Sequence, residues 1–105
     1  MDAFDKREEG FERAFSRDQE LRFLARARRN RKLGLWAGEK LGLAGEALTD
    51  YAARFADGAV TSADDEALVV ELAQALAEQQ ISTHRIRRRL EEFGAAALQE
   101  VQAGR

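Results

Sequence analysis

Hydrophobic residues recur at helical spacing through most of the chain. The clearest series lies near the C-terminus, at positions i, i+4, i+7, i+11 and i+15: Ile86, Leu90, Phe93, Ala97 and Val101. Residues with this spacing share one face of an α-helix, so the series predicts a helix with one buried side. Ser82 precedes the series and is a favourable N-cap residue.

A longer helix is predicted earlier in the chain, over residues 17–40. Ser16 and Gln19 have the spacing of a capping box, in which each side chain accepts a hydrogen bond from the backbone N–H of the other residue at a helix start. Apolar residues mark one side of this helix at both ends, while basic residues occupy its middle turns. The capping box therefore predicts that the helix begins next to Ser16.

Two shorter helices are predicted between these. One covers residues 45–56, and Gly58 stands just beyond it as a natural stop. The other begins at an N-cap, Ser62, and continues to about Gln80, with acidic residues in its first turn, where the helix dipole favours them. The acidic second and third helices can pair with basic residues of the first and fourth.

Three glycines recur every four residues near the end of the first helix, at Gly34, Gly38 and Gly42. On a helix this spacing places them one above the next, where another backbone can approach closely. Alternatively, Gly42 ends the helix and Gly38 is merely tolerated inside it. The spacing alone leaves both interpretations open.

Composition agrees with an all-α fold. The 105 residues contain no Pro and no Cys, 45% are hydrophobic and 34% are charged, so most of the chain should fold. We predict a small four-helix bundle over residues 16–105, preceded by a mobile, conditionally helical N-terminal arm over residues 1–15. No apolar run is long enough to cross a bilayer, and no signal peptide is evident, so we expect a cytoplasmic protein without direct membrane insertion.

The predicted arm combines aromatic residues with low helix stability. Phe4, Phe11 and Phe15 stand at i, i+7 and i+11, so a helical arm would align all three rings. Gly10 lowers helix propensity by about 1 kcal/mol relative to Ala, and short isolated helices are marginal in water. The arm therefore has the features of a segment that folds on binding, although the same rings could instead pack against the bundle.

Charge is segmented along the chain, although the net charge is only −2. Five basic residues form a candidate secondary basic surface on the first helix: Arg26, Arg28, Arg29, Arg31 and Lys32. A second basic patch opens the last helix, at Arg85, Arg87, Arg88 and Arg89. Such patches could meet the phosphates of a nucleotide or nucleic acid, but the net acidic chain argues against nucleic acid.

Catalytic and cofactor motifs are absent from the sequence. His84 is the only histidine and has no nucleophile or carboxylate cluster at catalytic spacing. Asp64, Asp65 and Glu66 are consecutive, so on a helix they point in different directions and indicate a helix start rather than a metal site. No phosphate-binding glycine loop is present. We therefore expect neither an enzyme nor a bound cofactor.

Two segments resemble a known family. FDKREEGFERAF at residues 4–15 and ARRNRKLGLWAGEKLGL at residues 27–43 are similar to the zeta subunit that inhibits the ATP synthase of alpha-proteobacteria. The resemblance covers most of the chain and is most specific before Arg54. It implies a four-helix bundle whose mobile arm becomes helical between catalytic and non-catalytic subunits and blocks rotation in the hydrolysis direction.

The resemblance also implies the partner and the contact residues. The partner would be the catalytic head of an F-type ATP synthase, with its alpha, beta and gamma subunits, which would place the chain at the periphery of the inner membrane. The contact residues would be Phe4, Lys6, Arg7, Glu8, Phe11, Glu12 and Phe15. Two other functions stay open from the residues alone: a module that binds nucleotide weakly, or nucleic acid, through its basic patches, and a structural bundle without inhibitory activity.

Overall fold

The computed structural model describes the backbone of residues 3–61 and 64–104, and the side chains of residues 17–57 and 64–104. This part of the chain forms four helices, which are α1 (Ala3–Lys40), α2 (Gly45–Thr61), α3 (Asp65–Ala75) and α4 (Thr83–Gln102). The described residues contain no strand. The prediction of an all-α fold with four helices is confirmed.

Helix α1 is longer than predicted, because it does not begin at Ser16. One helix of 38 residues runs from Ala3 to Lys40. The residues of a capping box are also tolerated inside a helix, and neither Gly nor Pro interrupts the chain between residues 11 and 33. Ser16 is therefore an interior position of α1, and the backbone of the predicted arm is helical here from Ala3 onward.

The boundaries of the two short helices also differ from the prediction. Helix α2 continues past Gly58 to Thr61, since one glycine inside a helix costs only about 1 kcal/mol. Ser62, the predicted N-cap of α3, lies outside the described residues, and Asp64 caps α3 by accepting a hydrogen bond from the Glu66 backbone. Helix α3 ends at Ala75, and turns follow to Gln80, which has a φ of +58°.

The glycines of α1 combine both interpretations of their spacing. A Cβ on Gly34 would stand 2.8 Å from the Ala52 Cα of α2, so the two helix backbones touch at this point. Gly42 has a φ of +82° and ends the helix. Its N–H donates to the Glu39 carbonyl and the Leu43 N–H donates to the Gly38 carbonyl, the pair of bonds that defines a Schellman motif.

The core lies where α1, α2, α3 and α4 meet. Its largest fully buried side chains come from α1, α3, α4 and the residue after α3: Leu33, Val69, Leu72, Leu76 and Ile86. The predicted α4 series is confirmed, since Ile86, Ala97 and Val101 are buried and Leu90 and Phe93 pack against the core. Ser82 caps α4 as predicted, accepting a hydrogen bond from the Arg85 backbone.

Helix α1 runs antiparallel to both α2 and α4. Gly34 faces Ala52 and Gly38 faces Leu48, so residue numbers increase along α1 while they decrease along the facing side of α2. Trp36 lies near Arg85, whereas Lys32 contacts Glu100, so α4 also runs in the direction opposite to α1. The C-terminal end of α1 therefore meets the starts of α2 and α4, and the molecule measures 64 × 26 × 22 Å, with α1 as its longest element.

Candidate partner-binding surfaces

The N-terminal part of α1 leaves the bundle before it reaches the predicted arm. The residues from Arg17 to Glu20 are exposed, and Phe23 and Leu24 are each 44% exposed. Among the described side chains of α1, Ala25 is the first that is buried. The backbone of the predicted arm therefore continues from a part of α1 that has few packing contacts of its own.

The seven predicted contact residues of the arm lie on the helical backbone of α1, but their side chains are outside the described set. They are Phe4, Lys6, Arg7, Glu8, Phe11, Glu12 and Phe15. The division into an arm of residues 1–15 and a bundle of residues 16–105 stays a prediction, as does the alignment of the three rings.

Two arginines of the candidate secondary basic surface hold the start of α3. The Asp65 carboxylate accepts hydrogen bonds from Arg29 at 2.8 and 3.1 Å and from Arg26 at 3.1 Å. The Arg29 side chain is only 15% exposed, whereas the Asp65 side chain is 47% exposed, so water reaches the pair from the carboxylate side. The Nε of Arg26 is buried and finds no hydrogen-bond partner among the described residues. These two arginines therefore join α1 to α3.

The pKa of Asp65 is lowered by this arrangement. The hydrogen bond from Arg29 is the largest cause, and the charges of Arg29 and Arg26 act in the same direction, while burial raises the pKa and opposes them. Because ionised Asp65 is the form that the two guanidiniums bind, the pair stabilises the fold only while this carboxyl is deprotonated.

Two other residues of the same surface contact α4. Lys32 Nζ lies 2.8 Å from Oε2 of Glu100. Arg28 Nη1 lies 3.7 Å from the other carboxylate oxygen, Oε1. Arg31 is the one residue of this surface that is exposed and forms no ion pair with a described side chain. Four of the five basic residues therefore pair with carboxylates of the bundle itself, which leaves less positive charge available for a phosphate ligand.

Asn30 lies between these basic residues and was not singled out from the sequence. It is 5% exposed, donates a hydrogen bond to the Phe55 carbonyl at 3.3 Å, and accepts one from Arg29 Nε at 3.0 Å. A buried amide needs such partners, so Asn30 both fixes Arg29 and binds the backbone of α2. In the sequence, Asn30 is the one uncharged residue between four basic ones, and this difference was the signal that could have indicated a buried polar role.

The three consecutive acids at the start of α3 point in different directions, as predicted. Asp64 caps the helix, Asp65 binds Arg26 and Arg29 of α1, and Glu66 pairs with Arg87 of α4. The described residues contain no cluster of side chains that could hold a metal ion. This acidic segment therefore joins three helices.

Two cavities adjoin Asp65. One has a volume of about 140 Å³, and its walls include Asn30 and Phe55. The other has a volume of about 330 Å³ and is an open groove whose walls include Arg22 of α1 and Gly94 of α4. Pockets for drug-sized ligands are usually about 300–1,000 Å³, so the first cavity is too small for a nucleotide and only the groove reaches the lower end of this range. No helix within the described residues is long and apolar enough to cross a membrane.

The second basic patch surrounds the only tryptophan. Trp36 of α1 is partly buried, and the guanidinium carbons of Arg85 and Arg89 lie 6.0 and 5.9 Å from the centre of its ring. Arg87 pairs with Glu66 of α3, and Arg89 also pairs with Glu92. Unlike the α1 basic residues, this patch lies largely at the surface.

Comparisons with known proteins bear on the whole chain. No curated protein and no solved structure matches it. A family model described as ATPase inhibitor subunit zeta matches residues 1–100, which include the predicted arm and most of the predicted bundle. The match covers nearly all of the 105 residues and agrees with the resemblance of the two segments. The chain therefore belongs to the ATPase inhibitor subunit zeta family.

Proposed function

We propose that this chain inhibits ATP hydrolysis by an F-type ATP synthase, and that its N-terminal arm inserts between catalytic and non-catalytic subunits of the head. The family match supports an inhibitory subunit, and it includes the arm. In this proposal the chain acts by binding and does no chemistry itself. Its contact with the synthase places it at the periphery of the inner membrane.

The observation that carries the proposal is the continuity of α1. The helix is packed in the bundle at its C-terminal end and extends to Ala3 at the other end, past the exposed residues Arg17–Glu20. A segment presented in this way is accessible to a groove on a larger partner. Bound segments of this kind place apolar residues in the groove at helical spacing.

The bundle lowers the free-energy cost of ordering the arm. Nucleation is the unfavourable step of helix formation, with an equilibrium factor of about 10⁻³, whereas adding residues to an existing helix is close to neutral. The packed turns of α1 supply that nucleus. The arm therefore has only to extend a helix that the bundle already holds.

Burial of the arm's rings supplies the binding energy. Each Phe side chain contributes about 1.5–3 kcal/mol when it is fully buried, so Phe4, Phe11 and Phe15 together contribute several kcal/mol. Ordering a free backbone costs about 1–2 kcal/mol per residue, and hydrogen bonding in the extended helix offsets most of that cost. Ion pairs of the charged arm residues and enclosure by the partner add to the ring burial. Affinity should therefore depend on every ring.

The test is ATP hydrolysis by the purified catalytic head of the cognate synthase. The full chain should inhibit, and a chain without residues 1–15 should not. In the full chain, Phe11→Ala and Phe15→Ala should each raise the half-maximal inhibitory concentration about 10-fold or more, since each removes roughly 1.5–3 kcal/mol of burial.

Phe23→Ala is the matched control, because Phe23 is an exposed phenylalanine of the same helix outside the predicted contacts. It should leave inhibition unchanged. Equal losses for Phe23→Ala and Phe11→Ala would contradict a specific role of the arm. Absence of inhibition by the full chain would refute the proposed function itself.

A further inference from the structure

The start of α4 carries positive charge that the fold does not neutralise. Residues 85–89 include four arginines and no acid. Glu66 pairs with Arg87, and Glu92 pairs with Arg89. Among the described side chains, no carboxylate pairs with Arg85 or Arg88, both of which are exposed. Two guanidiniums are therefore available to a partner.

The position of these charges is unfavourable for the isolated chain. Arg85 is in the first turn of α4, which contains no acidic residue. The N-terminal end of a helix carries partial positive charge from its free N–H groups, so cations there are disfavoured. Arg85 lies over Trp36 but has no carboxylate partner among the described side chains. Where a sequence breaks such a local rule without a neutralising charge, a functional reason is the usual one.

Trp36 gives this surface a fixed geometry. It lies under Arg85 and Arg89, whose guanidinium carbons are 6.0 and 5.9 Å from the ring centre. A guanidinium held over an aromatic ring keeps N–H groups free to bind a carboxylate in bidentate fashion. The ring also offers an apolar surface to the methylene groups of a bound segment. Arg89 donates one hydrogen bond to Glu92, so the free, oriented donors are chiefly those of Arg85.

The surface lies at the end of the bundle opposite the arm. Because α1 and α4 are antiparallel, the start of α4 meets the last turns of α1, which end at the exposed Lys40. Phe15 and Trp36 are separated by 21 residues of α1, or about 32 Å of helix. A partner that held both regions would grip the subunit at two distant points.

We propose that Arg85, Arg88, Arg89 and Trp36, here called the Trp36 face, bind an acidic protein segment of the ATP synthase head. The identity of the partner rests on the proposed function, whereas the choice of an acidic segment rests on the charge of the face. The exposed acids Glu39 and Glu91 lie on the same two helices and would repel a continuous polyanion such as nucleic acid. A protein segment with a few carboxylates avoids that repulsion.

Trp36 allows the face to be observed directly. It is the only tryptophan of the chain, so replacement by 5-fluorotryptophan gives one ¹⁹F signal at the centre of the face. The unlabelled catalytic head contributes no ¹⁹F signal. On addition of the head to the full-length labelled chain, this signal should shift or broaden, and the change should weaken with rising salt concentration.

The test variant is Arg85→Gln with Arg88→Gln, which should raise the half-maximal inhibitory concentration about 10-fold at low salt. At a saturating concentration of the head it should also abolish the shift of the ¹⁹F signal, leaving only the broadening that binding to any large partner produces. The matched control, Arg22→Gln with Arg54→Gln, also removes two exposed positive charges, but from parts of α1 and α2 outside the Trp36 face and the candidate secondary basic surface, and should change neither measurement. Thermal unfolding should show that both double variants remain folded, because all four side chains are exposed.

The outcomes separate this inference from the proposed function. If the chain inhibits and the two double variants behave alike, the Trp36 face is not the docking surface. If the chain does not inhibit but the head still perturbs Trp36, and Arg85→Gln with Arg88→Gln abolishes the effect, docking stands while inhibition fails. A ¹⁹F change that depends on the chain's own concentration, without the head, would overturn the proposal in favour of a second copy as occupant.

Discussion

The two halves of α1 belong to one hydrogen-bonded helix but differ in what covers them. From Ala25 to Lys40 the helix contacts α2 and α4, and Leu33 and Ala37 are fully buried. From Arg17 to Leu24 no described side chain is buried. The C-terminal half is held by packing against other helices, whereas the N-terminal half depends on propagation of the helix from the packed half. Continuity of a helix therefore does not imply uniform stability along it.

The largest expected effect comes from crowding the packed half. Gly34→Ala would place a Cβ 2.8 Å from both the Ala52 Cα and the Phe55 Cδ2, so α2 must move away from α1. We expect the free energy of unfolding to fall by about 1–3 kcal/mol, even though Ala favours a helix by about 1 kcal/mol. Chemical denaturation of the full chain measures this loss.

Gly94→Ala in α4 is the matched control for that substitution. Its Cβ would meet only the Arg29 side chain, at 3.4 Å, which is an ordinary contact distance. Here the helix propensity of Ala should dominate and raise stability by up to about 1 kcal/mol. Equal effects at Gly34 and Gly94 would show that close approach of α1 and α2 does not limit the packing.

A smaller effect is expected where α1 becomes packed. Asp65→Asn removes the charge that Arg26 and Arg29 share, and it should lower the free energy of unfolding by about 1 kcal/mol at neutral pH. Asp50→Asn is the control, because Asp50 is exposed on α2 and, within the described part of the chain, takes part in no ion pair. Denaturation across a pH series measures both variants.

The pH dependence of the Asp65 effect has a defined sign. The pKa of Asp65 is lowered in the folded chain, so this carboxyl stabilises the fold fully above its ordinary pKa. That contribution is lost as pH falls through the lowered value, where the unfolded chain has already taken up its proton. The difference between wild type and Asp65→Asn should therefore disappear in acid, and a difference that grew in acid would contradict the assignment.

The smallest effect on stability is expected in the other half of α1. Gly10→Ala should raise the helix propensity of the arm by about 1 kcal/mol while leaving the denaturation midpoint of the bundle almost unchanged. If binding requires a helical arm, inhibition should become tighter by up to about 5-fold. Weaker inhibition by this variant would instead show that the partner needs the space or backbone freedom of Gly10.

Periodicity predicted the elements that pack, but not where all of them end. The α4 series and its Ser82 cap were found because burial of one face imposes a regular spacing. The boundaries at Ser16 and Gly58 were wrong because capping and glycine signals are local and weak, about 1 kcal/mol each, and the surrounding helix continues through them.

The sequence predicted which helices carry basic and acidic residues, but not which of these residues form ion pairs with each other. The sequence indicated that acidic and basic helices would pair, and Asp65 and Glu66 confirm this for α3 with α1 and α4. It could not show that Asp65 and Glu100 occupy most of the α1 basic residues, since partners separated by 36 or more residues meet only in the folded chain. For the same reason Trp36 was not associated with Arg85 and Arg89.

The uninterrupted backbone between Gly10 and Gly34 has a mechanical consequence. About 36 Å of helix without Gly or Pro runs from inside the arm, through the exposed turns, into the packed region, so this part of α1 should transmit force as a rigid rod. If a rotating partner pushes the arm sideways, the torque reaches the bundle first near Arg26 and Arg29, where α3 is attached through Asp65. The strength of the contact between Asp65 and these two arginines, rather than the stability of the whole core, would then determine the force at which the bundle begins to unfold.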